Sequence, residues 1–433
     1  MDHLSIAPEK PAQLFERAPL RPGDQVRTLN YDDLHRWRVS VGFRFFMAIP
    51  HLIWLSIWGG GMFLISPILW IVTLVKGEPP EGLRDVYAMF IRYSIHVYSF
   101  LYLAANPFPG FLGRPRTYPI EVDIPPGGRQ NRWGVGFRLF LALPAFFLMT
   151  SIIGLGGGGG GGNSSGSGGD PVTTTLSISG GAVATVAFFG WFACLARGRM
   201  PQGFRDLAVW GLGYSAQTYA YFFLLTSRYP NSDPALAPVA PLPPHPVRMR
   251  MTDELRRNRW TVGFRIILLM PHYIWFVLWS VVALLASIVT WLVTLILGRT
   301  PRPLHNFLSA YVRYASHLFA FANLGGGPFP GFVGAPGTYP VDIEIDEPER
   351  QNRWSVLFRG LLALPALFVY SALSGVAGFA SIGAWFYSLV KGRAPEGLRN
   401  LIDYVARYGA QVFSYLLFVT PRYPYSGPAD YVK

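Results

Sequence analysis

Histidine is the side chain best suited to proton transfer near neutral pH, and four of this chain's eight histidines recur in pairs. His51 and His272 each follow a proline (Pro50, Pro271), while His96 and His317 stand further along at matching positions. The simplest reading is a polar contact between helices. Ionisable groups inside apolar segments also mark proton or ligand paths, and histidines bind metals, although no carboxylate or cysteine lies nearby in sequence to complete a ligand set. Arg44, Arg138, Arg265 and Arg359 each follow a phenylalanine and stand six residues ahead of a proline. An arginine just inside an apolar run can extend its stem to lipid phosphate. These four, with Arg92, Arg313 and Arg407, are therefore candidate headgroup contacts, and a network with Asp85, Asp206 or Asp403 is the alternative for the first four. No Ser/His/Asp set and no His-Glu-x-x-His occurs, and the single Cys194 excludes an internal disulfide or a multi-cysteine metal site. The glycine run after Leu155 lacks the Gly-Lys-Ser/Thr ending of a phosphate loop. No enzyme is expected, and no catalytic residue, metal or cofactor.

The elements that hold these residues repeat. The Phe-Arg-x5-Pro pattern occurs four times, and Arg44 to Arg265 is the same separation as Arg138 to Arg359, so a two-unit module is duplicated in tandem. A Pro-x-Gly/Pro-Leu/Phe-Arg/His signal follows each pattern at one fixed distance, reaching Arg84, His305 and Arg399, but arrives later in the second unit, at Arg205. The extra residues form a glycine-rich insertion at 155–181. The units divide at 26–112, 113–230, 247–333 and 334–425, between a polar segment at 1–25, a Pro-rich linker at 231–246 and a tail at 426–433. The histidines follow the duplication: units 2 and 4 carry Ala145 and Ala366 for His51 and His272, and Gln217 and Gln411 for His96 and His317.

At 51% hydrophobic and 14% charged residues, the composition is that of a membrane protein. Residues 1–36 contain no apolar stretch, so no secretory signal peptide is expected. The net charge of +13 lies beside apolar segments, which points to anionic lipid rather than nucleic acid. Residues 45–75, 266–297 and 360–390 lack Asp, Glu, Lys and Arg, and as straight helices would reach about 46 Å against a hydrocarbon core of about 30 Å. With the insertion and Gly59, Gly60 and Gly61 taken as turns, each run is expected to be a helical hairpin. Basic residues flank both feet (Arg38 and Lys76; Arg132 and Arg197; Arg259 and Arg299; Arg353 and Lys391), which places the feet in the cytoplasm.

The third segments (83–103, 204–225, 304–324, 398–418) are long enough to span, but a crossing would reverse the next unit. They are expected to be amphipathic interfacial helices, since Arg84, Asp85, Arg92 and His96 fall on one arc. The expected fold is an all-α integral membrane protein with eight spanning helices, four interfacial ones and both termini cytoplasmic; twelve spans is the alternative. A short cytoplasmic β-strand precedes each unit. These strands are basic in units 1 and 3 (Arg27; Arg248, Arg250) and acidic in units 2 and 4 (Glu121, Asp123; Asp342, Glu344), so odd and even strands should pair. Trp133, Trp260, Trp354, Tyr93, Tyr314 and Tyr408 are expected in interfacial belts.

The ordered series of a strand with Tyr-Pro or His-Pro, Arg-Gln-Asn-Arg-Trp, Phe-Arg, Pro-His, Gly-Arg, Pro-x-Gly-Leu-Arg, Arg-Tyr and Arg-Tyr-Pro resembles a bacterial membrane-domain family known as domain of unknown function 4389. The resemblance covers all four units, from about Val26 to Pro424. Unit 2 departs from it through the insertion and through Gly213, where other units have Arg92, Arg313 and Arg407; His305 replaces an arginine in unit 3. The resemblance implies an integral membrane protein and brings no activity. A non-enzymatic scaffold or accessory subunit in the cell (inner) membrane is expected, contacting anionic lipid, a membrane-protein partner or further copies of itself. A transporter or channel built from two pseudo-symmetric modules is the alternative.

Overall fold

The computed structural model describes residues 19–154, 180–238 and 244–428; most of the insertion, part of the linker and most of both terminal segments lie outside the described residues. Unit 1 contains β1 (Arg27–Asn30), α1 (Arg38–Lys76) and α2 (Glu81–Leu101). Unit 2 contains β2 (Ile120–Asp123), α3 (Arg132–Gly136), α4 (Arg138–Ile153), α5 (Ala182–Arg197) and α6 (Gln202–Phe222). Unit 3 contains β3 (Val247–Met251), α7 (Arg259–Gly263), α8 (Arg265–Leu297) and α9 (Arg302–Ala322). Unit 4 contains β4 (Val341–Ile345), α10 (Arg353–Leu357), α11 (Arg359–Lys391) and α12 (Glu396–Leu416).

The apolar runs are continuous helices, not helical hairpins. The helix α1 has 39 residues, and α8 and α11 have 33 each; all three are long and apolar enough to cross a membrane. Gly59, Gly60 and Gly61 lie within α1. A glycine costs about 1 kcal/mol relative to alanine in a helix, a penalty that the apolar stripe packed on α2 overcomes. In unit 2 the two 16-residue pieces α4 and α5 take the place of one long helix. A Cβ added at Gly154 or Gly181 would collide with the other's backbone, so the end of α4 and the start of α5 meet at one point.

Punctuation is the same in every unit. Gly77, Gly198, Gly298 and Gly392 close the long helices with φ of 83°, 69°, 71° and 69°, the left-handed conformation that glycine adopts without a Cβ penalty. Pro80, Pro201, Pro301 and Pro395 then sit at the N-caps of four 21-residue helices, α2, α6, α9 and α12. Asn131, Asn258 and Asn352 accept hydrogen bonds from Trp133, Trp260 and Trp354 N–H, which gives the Asn-Arg-Trp motif its role as a helix start.

Strands pair odd with even, antiparallel: β1 with β2, placing Arg27 opposite Asp123, and β3 with β4, placing Arg248 opposite Glu344. Three layers result. On α2, Tyr87 donates to Met62 O and Phe90 meets Trp58 of α1, whereas Arg92 Nε donates to Val122 O of β2. Residues 87 and 92 lie on opposite sides of the helix, so α2 separates α1 from the sheet. Unit 3 repeats this, with Ser280 of α8 bonded to Tyr311 of α9 while Arg313 Nε donates to Ile343 O of β4. The helices α2, α6, α9 and α12 form this inner layer, and none of their large hydrophobic side chains is exposed. The expectation of interfacial helices is not met on α2, where Arg92 and His96 face β2 and Arg84 bonds Pro125 O, leaving Asp85 as the exposed member of the polar arc.

Within a module the two units clasp each other. The carbonyl of Gly77 accepts from Gln130 N and that of Gly198 from Arg36 N; in the second module Gly298 and Gly392 accept from Gln351 and Arg257 N. The modules join through α11, which packs on α4 and α5 with Phe189 and Phe368 rings 5.6 Å apart. Trp210 of α6 meets Tyr404 of α12 beneath that contact.

Candidate functional site

Arg44, Arg138, Arg265 and Arg359 are buried, between 1% and 4% exposed. The expectation that they contact headgroups is overturned, because each guanidinium turns inward and caps the inner helix of its own unit. Arg44 donates to Phe100 O and Ala105 O, at 2.8 and 3.0 Å. Arg138 donates to Tyr221 O and Thr226 O, Arg265 to Phe321 O and Gly326 O, and Arg359 to Tyr415 O and Thr420 O. A helix C-terminus presents unpaired carbonyls and partial negative charge, and a cation satisfies both. The guanidinium also lies over an aromatic ring each time, Phe100, Tyr221, Phe321 or Tyr415.

Arg92, Arg313 and Arg407 are likewise bonded to the chain's own carbonyls. Arg92 and Arg313 donate to Val122 O and Ile343 O, and Arg407 to Gly427 O. The four inner helices end on Leu103, Leu224, Leu324 and Phe418, at φ of 62° to 67°, which is rare for residues with a Cβ. Their carbonyls are held by Arg36, Gln130, Arg257 and Gln351. The sequence motif Arg-Gln-Asn-Arg-Trp thus combines a helix start with a clamp on another helix's end.

The histidines divide into two separate arrangements. His51 Nδ1 is 2.8 Å from Tyr93 OH and its ring stacks on Phe111; His272 repeats this with Tyr314 OH at 3.0 Å and Phe332. Both rings are wholly buried, and Tyr93, Tyr314 and Tyr408 are buried rather than belt residues. The other pair faces the strands. His317 Nε2 is 2.8 Å from Asp342 Oδ1, and His96 Nε2 is 3.6 Å from Glu121 Oε2. Burial pushes the Asp342 carboxyl up, but His317 and the N–H groups of Gly337 and Ile343 outweigh it and hold it below the usual carboxylate range. In units 2 and 4 the matching glutamines bond to the segment that follows the inner helix: Gln217 Oε1 accepts from Asn231 N and Gln411 Oε1 from Tyr425 N. Among the described residues, no three His, Cys, Asp or Glu side chains stand together to hold a metal ion.

A family model described as a domain of unknown function (DUF4389) matches residues 38–112, 259–330 and 353–426, together about half of the chain. The chain belongs to this family. The matches give three DUF4389 copies where the sequence reading counts four; unit 2, split by its insertion, is not matched. It nevertheless keeps the long-helix position, the inner helix and the Arg138 cap of a DUF4389 unit. No curated protein and no solved structure matches the chain.

Sequence reasoning named three carboxylates without finding their surroundings. Asp403 on α12 is wholly buried, 3.8 Å from Arg399, and desolvation pushes its carboxyl up to about 7. Glu121 and Asp342, expected to face basic residues across the strands, turn inward to the histidines. Their shared position in the repeat was the available signal.

The surface carries the remaining feature. Large hydrophobics are exposed along all four long-helix positions, Phe45 to Val75, Leu139 to Phe192, Ile266 to Leu297 and Leu361 to Val390. Exposed arginines mark the ends: Arg38 donates to Ala196 O, Arg132 to Val75 O, Arg259 to Val390 O and Arg353 to Ile296 O. Beside them Trp133, Trp260 and Trp354 are 76%, 75% and 71% exposed.

Proposed function

We propose that the protein is a non-enzymatic scaffold of the cell membrane whose long helices lie in lipid and whose basic ends hold anionic headgroups. The observation that carries this reading is the outer face of the long helices: an exposed apolar surface bounded at both ends by arginine and tryptophan. An exposed apolar surface of this extent marks an interaction site. Aromatic rings and basic side chains at its ends are the residues that settle at the boundary between hydrocarbon and headgroups. The four caps and four clamps support a structural rather than a catalytic role, since they join buried polar groups within the fold to one another.

The test is reconstitution. Purified protein should incorporate into vesicles of phosphatidylcholine and phosphatidylglycerol and resist alkaline carbonate extraction. Replacing Arg38, Arg132, Arg259 and Arg353 by glutamate should weaken incorporation into the anionic vesicles more than into phosphatidylcholine alone. Protein that remains in the aqueous fraction with every lipid tested refutes the reading.

A further inference from the structure

The long helices meet two conditions that a spanning arrangement does not reconcile. They are too long for a perpendicular crossing, since 33 residues rise about 50 Å against a hydrocarbon core of about 30 Å. Both ends are also basic, which by the usual distribution of charge puts both on one side. The sheets add a third condition. The strand β4 lies against the middle of α9, where Arg313 bonds Ile343 O, so upright helices would carry the sheets at mid-bilayer. Each sheet has only two strands, and lipid offers no partner for its outer edges. The side chains of Arg248, Arg250, Glu344 and Asp346 on its outer side are 32%, 62%, 43% and 45% exposed, charges that hydrocarbon does not solvate.

All three conditions are met if the molecule lies flat. The layers place the long helices on one side of the inner helices and the sheets on the other, which gives one broad apolar face and one charged face. We infer, resting on the membrane reading above, that the three long helices and the α4–α5 pair lie parallel to the bilayer plane within one leaflet, so that the protein is monotopic and its sheets stay in water. Helix length is then unconstrained, both ends of every helix reach headgroups of the same leaflet, and the exposed tryptophans float at one depth. The inner helices, having no exposed large hydrophobic side chain, contact no lipid. The occupant of the apolar face is the leaflet itself, and charge complementarity between the arginine-bearing helix ends and anionic headgroups selects it.

Depth measurement decides the matter. Ile266→Cys, Leu285→Cys and Ile296→Cys place nitroxide labels along the exposed side of α8, and the wholly buried Cys194 is left in place. In phosphatidylcholine and phosphatidylglycerol vesicles, relative accessibility to oxygen and to a nickel chelate reports depth. Lying flat, the three labels agree to within about 5 Å. A spanning α8 instead separates positions 266 and 296 by up to about 45 Å along the normal and makes position 285 deeper than either; that result overturns the inference while leaving membrane residence intact. Labels shielded from both reagents and broadened by a neighbouring label overturn it in favour of a second copy on the apolar face. Failure to incorporate into vesicles refutes the membrane reading itself. Brominated acyl chains give an independent check: flat helices predict that Trp133, Trp260 and Trp354 are all quenched best by one shallow bromine position.

Discussion

Replacing Arg359 by methionine tests whether the repeated arginine serves the fold or the lipid. The guanidinium is 1% exposed, donates to Tyr415 O at 3.0 Å and Thr420 O at 3.2 Å, and lies 4.6 Å from the Tyr415 ring centre. Hydrogen bonds from a charged donor are worth about 1.5–3 kcal/mol each, and a desolvated cation–π contact about 2 kcal/mol. Relief from burying a charge offsets several kcal/mol of that sum. A net loss of roughly 2–4 kcal/mol remains, left by two buried carbonyls without a donor. Arg359→Lys should recover at most half of it, because an ammonium lacks the planar surface that stacks on the ring. Unfolding in a neutral detergent, with and without added phosphatidylglycerol, reads both variants. A loss below about 0.5 kcal/mol in detergent alone would show that the carbonyls need no cap. A loss that appears only with anionic lipid would restore the headgroup role and refute the cap.

Asp403 predicts a pH dependence. Its folded pKa of about 7 lies above the ordinary value of 3.8, so the stability tied to its protonated form is full below pH 3.8 and is lost as pH rises towards 7. Asp403→Asn should flatten thermal stability across that window and stabilise the protein above it; an unchanged slope between pH 4 and 7 sinks the assignment. Asp342 acts in the opposite sense: held below 3.8, it contributes stability above that value that is lost as pH falls through its folded pKa. Asp342→Asn should reduce that acid sensitivity and cost about 1–3 kcal/mol at neutral pH, measured by denaturant titration. Gly334 has φ of 59°, and a Cβ there would collide with Ala310 O; Gly334→Ala should lower the unfolding midpoint by several degrees in a thermal melt. Joining Ile153 directly to Gly181 gives unit 2 the register of α11 and should leave thermal stability within about 1 kcal/mol of the parent; a protein that no longer folds would show that α4 and α5 do not form one helical position.

The repeat, its Gly- and Pro-bearing junctions and the pairing of basic with acidic strands were legible, because each rests on residue types that recur at fixed spacing. Gly77 closes a helix for a reason contained in its own backbone. The helical path was not legible. Basic residues at both ends of an apolar run suit a hairpin as well as one continuous helix, so the charge pattern does not choose between them. The glycine-rich insertion of unit 2 then favoured the wrong alternative, since an excursion from a helix and a turn between two helices have the same composition. Direction was lost at Arg44 too: its place beside an apolar run is the same whether it reaches outward to phosphate or inward to Phe100 O. The partners of His51 and His96 were hidden because they come from other elements, Tyr93 on α2 and Glu121 on β2.

The exchange of hydrogen bonds between neighbouring units has a consequence for how such a chain is made. Gly77 emerges from the ribosome well before Gln130, which fills its carbonyl, and Arg36 waits longer still for Gly198. A single unit therefore leaves synthesis with one donor and one acceptor open, and the pair, not the unit, is the smallest piece that closes. The same two groups on a second identical unit would close it equally well. Backbone bonds alone would thus let identical units pair, whereas the opposite strand charges and the histidine–carboxylate pairs of this chain require two different units side by side.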